Sequence, residues 1–297
     1  MRRFLTRYLA YSGQPQGFLP KPTLGWGAAA SIALLLALAA QAAGPDAAIA
    51  AGLALFMAGL PHGVFGVVGS FLMTRPGYIL RYLALGAVAA LAFLAAPILI
   101  LVLFLALSAW HFGHEPVAGT RLRRVAIACL AIGGSALWRP GETAAVFAAL
   151  CGTAVPNALT FSLAIIGALG TLAAFGQLLR RPIDAAMLVI LISPVLLHPV
   201  LATGAVFMLG HAGPVSVGIM RNQGWSWLPV GAIVLISLVL AGGAVFVLPL
   251  PSAHLPYAAA AALAVIIPHL LPQGWLSPAH VRRAPDQSSQ AATSLAT

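Results

Sequence analysis

Acidic residues are nearly missing from this 297-residue chain, with 5 Asp and Glu against 15 Lys and Arg, and charged residues of both signs make up only 7%. Ordinary soluble domains carry roughly 25%. So few charges cannot clothe a water-soluble globule, which excludes that class whatever the fold. Cysteine is scarce too. Cys129 and Cys151 stand in apolar surroundings and read as small packing residues, with no disulfide or redox couple implied. A Walker-type Gly-Lys-Ser/Thr loop is absent and no large polar segment interrupts the apolar runs, so ATP-driven machinery has nowhere to sit. The net charge of +10 would suggest nucleic acid in a soluble domain. Here the arginines fall in small groups between apolar runs, which is how orientation is written into a membrane protein, and no nucleic-acid partner is expected.

What the chain has in abundance is hydrocarbon: 61% hydrophobic residues and a mean hydropathy of +1.00. The apolar runs are continuous, rich in Ala and Leu, and about twenty residues long. Strands of a membrane barrel would instead alternate apolar and polar residues over about ten positions. The expected fold is therefore all-α, a polytopic transmembrane helix bundle embedded in a lipid bilayer. Hydropathy punctuated by Gly, Pro and charge places about ten spans: Leu24 to Ala43, Ala47 to Met73, Tyr78 to Ala96, Pro97 to Glu115, Leu122 to Trp138, Asn157 to Leu179, Ile183 to Leu197, Pro199 to Met220, Leu228 to Leu248 and Leu255 to Leu271. Ala144 to Val155 reads as an additional half-span or an interfacial helix, which leaves eight to eleven crossings open.

Basic residues orient the bundle. With the N-terminus in the cytoplasm, Arg75 and Arg81, the run Arg121, Arg123 and Arg124, the pair Arg180 and Arg181, Arg221, and Arg282 with Arg283 all fall on the cytoplasmic side, and Arg139 alone falls outside. Both termini are thus expected in the cytoplasm, in the inner (cytoplasmic) membrane of a cell. Residues 1–23, holding Arg2, Arg3, Arg7 and Lys21, read as a cytoplasmic leader, too long and polar for a cleaved signal peptide. Residues 24–272 form one transmembrane domain. Residues 273–297 form a cytoplasmic tail with nothing to bury from Asp286 onward, so disorder is expected there.

Chemistry inside such a bundle must come from its few ionisable groups, and those are histidines. An ionisable side chain within a span is costly and is by default a functional hypothesis. Of the 8 histidines, His198 and His254 lie at outer span junctions and His280 lies in the tail, where a solvated or interfacial role is expected. His62, His111, His114, His211 and His269 lie past the midpoint of spans that all run from outside to inside. Four parallel helices then offer imidazoles at one depth, the arrangement an intramembrane metal site between helices requires. A lone histidine in a span can simply hydrogen-bond a neighbouring helix. A set of them without acidic partners suits Fe, Zn or Cu, held through neutral imidazole nitrogens. Gly59 and Gly63 flank His62, with Gly66 and Gly69 beyond, and Gly210 and Gly213 flank His211, so the helices can approach closely enough for these side chains to meet.

The motifs around these histidines carry a resemblance. Gly59-Leu-Pro-His-Gly63, Ser108-Ala-Trp-His-Phe-Gly113, Pro199-Val-Leu-Ala-Thr-Gly-Ala-Val-Phe207 leading into Gly210-His211, and Ile267-Pro-His269 resemble, in this order, the signature segments of the Brp/Blh family of membrane β-carotene 15,15′-dioxygenases, over most of the chain. The resemblance implies an oxidoreductase that cleaves β-carotene to two molecules of retinal, with Fe2+ as cofactor and O2 as co-substrate. By motif, His62, His111 and His211 match three of the family's iron ligands. The family pattern has a second histidine four residues after the third of these, where Val215 stands, and an Asp where Gly66 stands. His269 or His114 is available to complete the set, and His269 is taken as the fourth ligand. Carotenoid would enter laterally past Phe65, Trp110, Phe112 and Phe207. The two departures also motivate an alternative, a non-catalytic carotenoid- or retinal-binding accessory protein with a degenerate metal site.

Overall fold

The computed structural model describes residues 24–59, 62, 76–114, 119–181, 184–223 and 254–271. Among them there are helices and no strands. The helices are α1 (Leu24–Ala42), α2 (Pro45–Gly59), α3 (Pro76–Ala95), α4 (Pro97–His114), α5 (Arg121–Cys129), α6 (Ser135–Trp138), α7 (Pro140–Cys151), α8 (Asn157–Arg180), α9 (Ala185–Leu196), α10 (Pro199–Phe207), α11 (Gly213–Gln223) and α12 (Leu255–Leu270). Two wide π-helical turns interrupt this order: Leu130–Gly134 joins α5 to α6, and Met208–Ala212 joins α10 to α11. Many of these helices open on proline, at Pro45, Pro76, Pro97, Pro140 and Pro199. Its fixed φ and missing amide suit the first helical turn, where a donor would have no partner.

Among the described residues four helices are long and apolar enough to cross a membrane: Pro76–Ala95, Pro97–His114, Asn157–Arg180 and the continuous Pro199–Gly218. Shorter apolar helices cover Gly27–Ala42, Pro45–Gly59, Ala185–Leu196 and Leu255–Leu270. The expected fifth span, Leu122 to Trp138, is helical throughout, its two α segments joined by the π turn at Leu130–Gly134. A separate helix does form in the ambiguous stretch after it, at Pro140–Cys151. Its 12 residues reach about 18 Å at 1.5 Å per residue, short of the roughly 30 Å of a hydrocarbon core. The expected span Leu228 to Leu248, the remainder of the second span beyond His62, the leader and the tail lie outside the described residues.

One helix is axial. In the Pro199–Gly218 window 67% of residues are buried, against 17–28% in the other three long helices, whose leucines, valines and phenylalanines are largely exposed. A helix that is apolar all round must be surrounded by protein or by lipid. α10 is surrounded by protein: it packs against α2 and α9, and its Val206 and Phe207 share a core with Ile127, Leu130, Met187 and Ile190. A second cluster joins α3, α4, α7 and α12 around Phe93, Leu101 and Leu263. α5 and its π turn lie along α8, where Gly133 and Gly167 bring their backbones into contact and a Cβ on either would strike the partner's main chain. Small residues at such crossings allow close packing where lipid supplies no hydrophobic drive between helices.

Polar ties mark the two ends of the bundle. At one end Arg123 pairs with Asp184 at 3.2 Å, Thr120 donates to Gln177 at 2.8 Å, and the Asp184 carboxylate accepts from the amide of Met187 to cap α9. The Thr120–Gln177 bond joins the start of α5 to the last turn of α8, placing the Arg121–Arg124 run and Arg180 at the same end. At the other end Arg139 pairs with Glu142 at 2.8 Å and donates to the carbonyl of Leu196, while the amide of His198 donates to Gln41 at 2.7 Å.

Candidate metal centre

Four histidines from four parts of the chain meet. His62 follows α2, His111 lies in the last turn of α4, His211 in the π turn after α10, and His269 in the last turn of α12. The Nε2 of His62 lies 3.2 Å from Nε2 of His211 and 3.3 Å from Nε2 of His269. The ring of His111 is centred 4.9 Å from that of His211 and 5.1 Å from that of His269. His62, His111 and His211 could together hold a metal ion, since each offers a ligand atom and these atoms lie within 4.8 Å of one another.

Tautomers sharpen the point. The Nδ1 of His62 bonds the carbonyl of Gly59, which can only accept, so Nδ1 carries the hydrogen. In a neutral ring Nε2 is then a lone pair aimed at the cluster. One lone pair accepts one N–H well, yet two imidazole nitrogens crowd it from different helices. Nε2 of His111 is buried with no hydrogen-bond partner among the described residues, and such orphaned groups are rare unless an ion or water meets them. A shared cation resolves both problems. For a metal–imidazole bond of about 2.0–2.1 Å, ligand nitrogens are about 2.9 Å apart at a right angle and about 3.4 Å apart in a tetrahedron. The observed 3.2 and 3.3 Å fall between these. The residues therefore fit a metal of the imidazole-binding kind.

The supports are local and specific. The Gly59 carbonyl fixes the His62 ring, the usual role of an outer partner to a metal-binding histidine. Gly59 also has no room for a Cβ, because the ring of Phe207 occupies that place. Around His211 the chain widens: Pro214 has no amide to give the carbonyl of Gly210, and the amide of Gly213 bonds back to Met208, five residues away. Such π turns often stand at functional sites. Arg124 donates to the carbonyls of Gly113 and Gly119 at 3.2 and 3.0 Å, holding the end of α4 that carries His111.

Apolar rings wall the cluster. Phe112 is centred 4.6 Å from His211 and Phe207 5.6 Å from His62, and Phe56 stacks on Phe207 at 5.5 Å. The described carboxylates lie elsewhere: Asp46 opens α2, Glu142 pairs with Arg139 and Asp184 with Arg123.

A family model described as Beta-carotene 15,15'-dioxygenase matches residues 53–277 of the chain. The chain belongs to this family. No curated protein and no solved structure matches it. The stretch shared with the dioxygenase family contains all four converging histidines, and His198 and His254 as well, which start α10 and α12 at a distance from the cluster.

Sequence-level expectations for a dioxygenase-family site divide cleanly here. His62, His111, His211 and His269 come together, whereas His114 is exposed, bonds the carbonyl of Trp110 and stacks on that residue's ring. Trp110 is likewise exposed, and Phe112 and Phe207 are buried against the histidines. Val215, at the position where the family pattern has a histidine, is buried. Phe65, Gly66, Glu115 and His280 lie outside the described residues. Phe56 and the Gly59 carbonyl are additions to the expected site, as is the hold of Arg124, expected only to orient the bundle, on the end of α4. Gly59 three residues before His62 was a usable signal, since that spacing brings a main-chain carbonyl under a ring.

Proposed function

We propose that this chain is an integral-membrane non-haem iron dioxygenase that cleaves a carotenoid, β-carotene to retinal, with O2. The observation that carries the reading is the convergence of four imidazoles, from four separate helical segments, inside an apolar wall and, among the described residues, without a carboxylate. His62, His111, His211 and His269 would hold Fe2+ through neutral nitrogens, leaving room for O2. When bound, iron supplies the redox centre at which O2 and an electron-rich double bond can react.

The chain's own residues do the remaining work. The Gly59 carbonyl keeps the His62 proton on Nδ1 and so keeps Nε2 available for ligation. Phe112 and Phe207 exclude water from the cluster. The carotenoid reaches them laterally from the bilayer, past Trp110 on α4. In this reading residues 24–272 make one domain of about ten spans in the cytoplasmic membrane, with both termini in the cytoplasm. The grouping of Arg121, Arg123, Arg124 and Arg180 at one end of the bundle supports that orientation.

Expression in a β-carotene-producing host tests the activity. The orange colour should bleach and retinal appear, and Ala at His62, His111 or His211 should abolish both. Unchanged carotenoid beside intact protein would sink the reading. Val215 favours the second reading, an accessory protein that binds carotenoid or retinal without cleaving it. Pigment co-purifying with metal-free protein would decide for that alternative.

A further inference from the structure

α12 presents His269 to the cluster from its last turn, and directly before His269 stands Pro268. Proline inside a helix removes an amide, so the carbonyl of Ala264 loses its donor, and the ring pushes against that same carbonyl. Helices bend at such points. The direction of the last turn, and with it the reach of His269, is therefore not fixed by α12 alone.

α3 packs along α12 and supplies two contacts in the turn before Pro268. The hydroxyl of Tyr82 donates to the carbonyl of Val265 at 2.6 Å, across 183 positions of sequence. One turn further on, Gly86 lies so close to the carbonyl of Ala264 that a Cβ would overlap it. Tyr82 and Gly86 are four apart and share a face of α3. A donor and a small residue thus face two consecutive carbonyls in the turn that Pro268 weakens, and Val265 is the residue whose helical partner is His269 itself. We infer that Tyr82 is a positioning residue: its hydrogen bond to Val265 sets the last turn of α12 so that the His269 ring reaches the other imidazoles. The inference rests on the metal-centre reading.

Co2+ titration of purified full-length protein, followed by the visible absorption of the bound ion, separates the two. Outer partners of metal ligands typically tune affinity by 10–100-fold. Tyr82→Phe should weaken Co2+ binding by about tenfold and move its spectrum toward that of His269→Ala. In the His269→Ala background Tyr82→Phe should have no further effect. Tyr257→Phe, an exposed tyrosine on α12, should match the unsubstituted protein. Gly86→Ala wedges the same turn without touching the hydroxyl, and is the second variant should Tyr82→Phe not fold. It too should weaken binding, and only when His269 is present. If the unsubstituted protein binds no Co2+, the metal-centre reading falls, and the inference falls with it. If it binds Co2+ and Tyr82→Phe or Gly86→Ala binds equally well, or if the loss persists without His269, the inference alone is overturned.

Discussion

His198 shows how a single side chain can be structural in a protein whose other buried histidines are clustered. It precedes α10, and its Nδ1 accepts from the amide of Val200, so it caps the axial helix only while that nitrogen is unprotonated. Partial burial lowers its pKa below the ordinary 6.5, opposed by nearby Glu142 and reinforced by Arg139. A histidine with a depressed folded-state value contributes stability that is present above 6.5 and is lost as pH falls through its folded value. Thermal unfolding in detergent should therefore show a loss of Tm on acidification that is smaller in His198→Asn, which keeps a capping acceptor and has nothing to titrate. Equal pH dependence in both would exclude the capping role. At this scale the sequence was informative about which residues carry chemistry, because an ionisable group inside an apolar run stands out. It was silent about partners. The bonds of Arg124 to Gly113 and of Tyr82 to Val265 join residues whose own neighbourhoods in sequence carry no mark of the contact.

At the scale of elements, hydropathy does not show where a helix widens. The run from Leu122 to Trp138 averages as one span, yet Gly133 and Gly134 allow the chain to widen into a π turn that packs closely on α8. The second π turn, at His211, was partly legible through Pro214, whose missing amide must disturb the helix just before it. Helix starts were the most legible feature, since proline at the first position is a local signal. The contact between Gly133 and Gly167 gives a clear expectation: Gly167→Leu forces α5 and α8 apart and should lower the Tm by several degrees, a loss of about 1–3 kcal/mol for an overpacked site. An unchanged unfolding profile would mean that the close approach is not maintained in detergent.

For the whole molecule, the placement of arginines predicts that a reporter fused after Thr297 faces the cytoplasm. A C-terminal green fluorescent fusion should fluoresce, while an alkaline phosphatase fusion at the same point should stay inactive. The reverse pattern would overturn an even number of spans with both ends inside. The two polar ends of the bundle are consistent with the sequence expectation because charge in a membrane protein is confined to where water is. The number of crossings was less legible, as several apolar helices are shorter than a bilayer and only packing decides what they do.

An all-imidazole cluster also determines what the protein cannot choose. Magnesium and calcium, abundant in cells, demand oxygen ligands, and among the described residues no carboxylate joins the four imidazoles, so the cluster disfavours them without any gate. Among the ions that favour imidazole, copper and zinc bind more tightly than ferrous iron at comparable sites. No ligand of this cluster reverses that order. Under the iron reading proposed above, the ion that fills the cluster would be set by supply at the membrane when the helices assemble, and protein overproduced in zinc-rich medium would come out intact with zinc in place of iron.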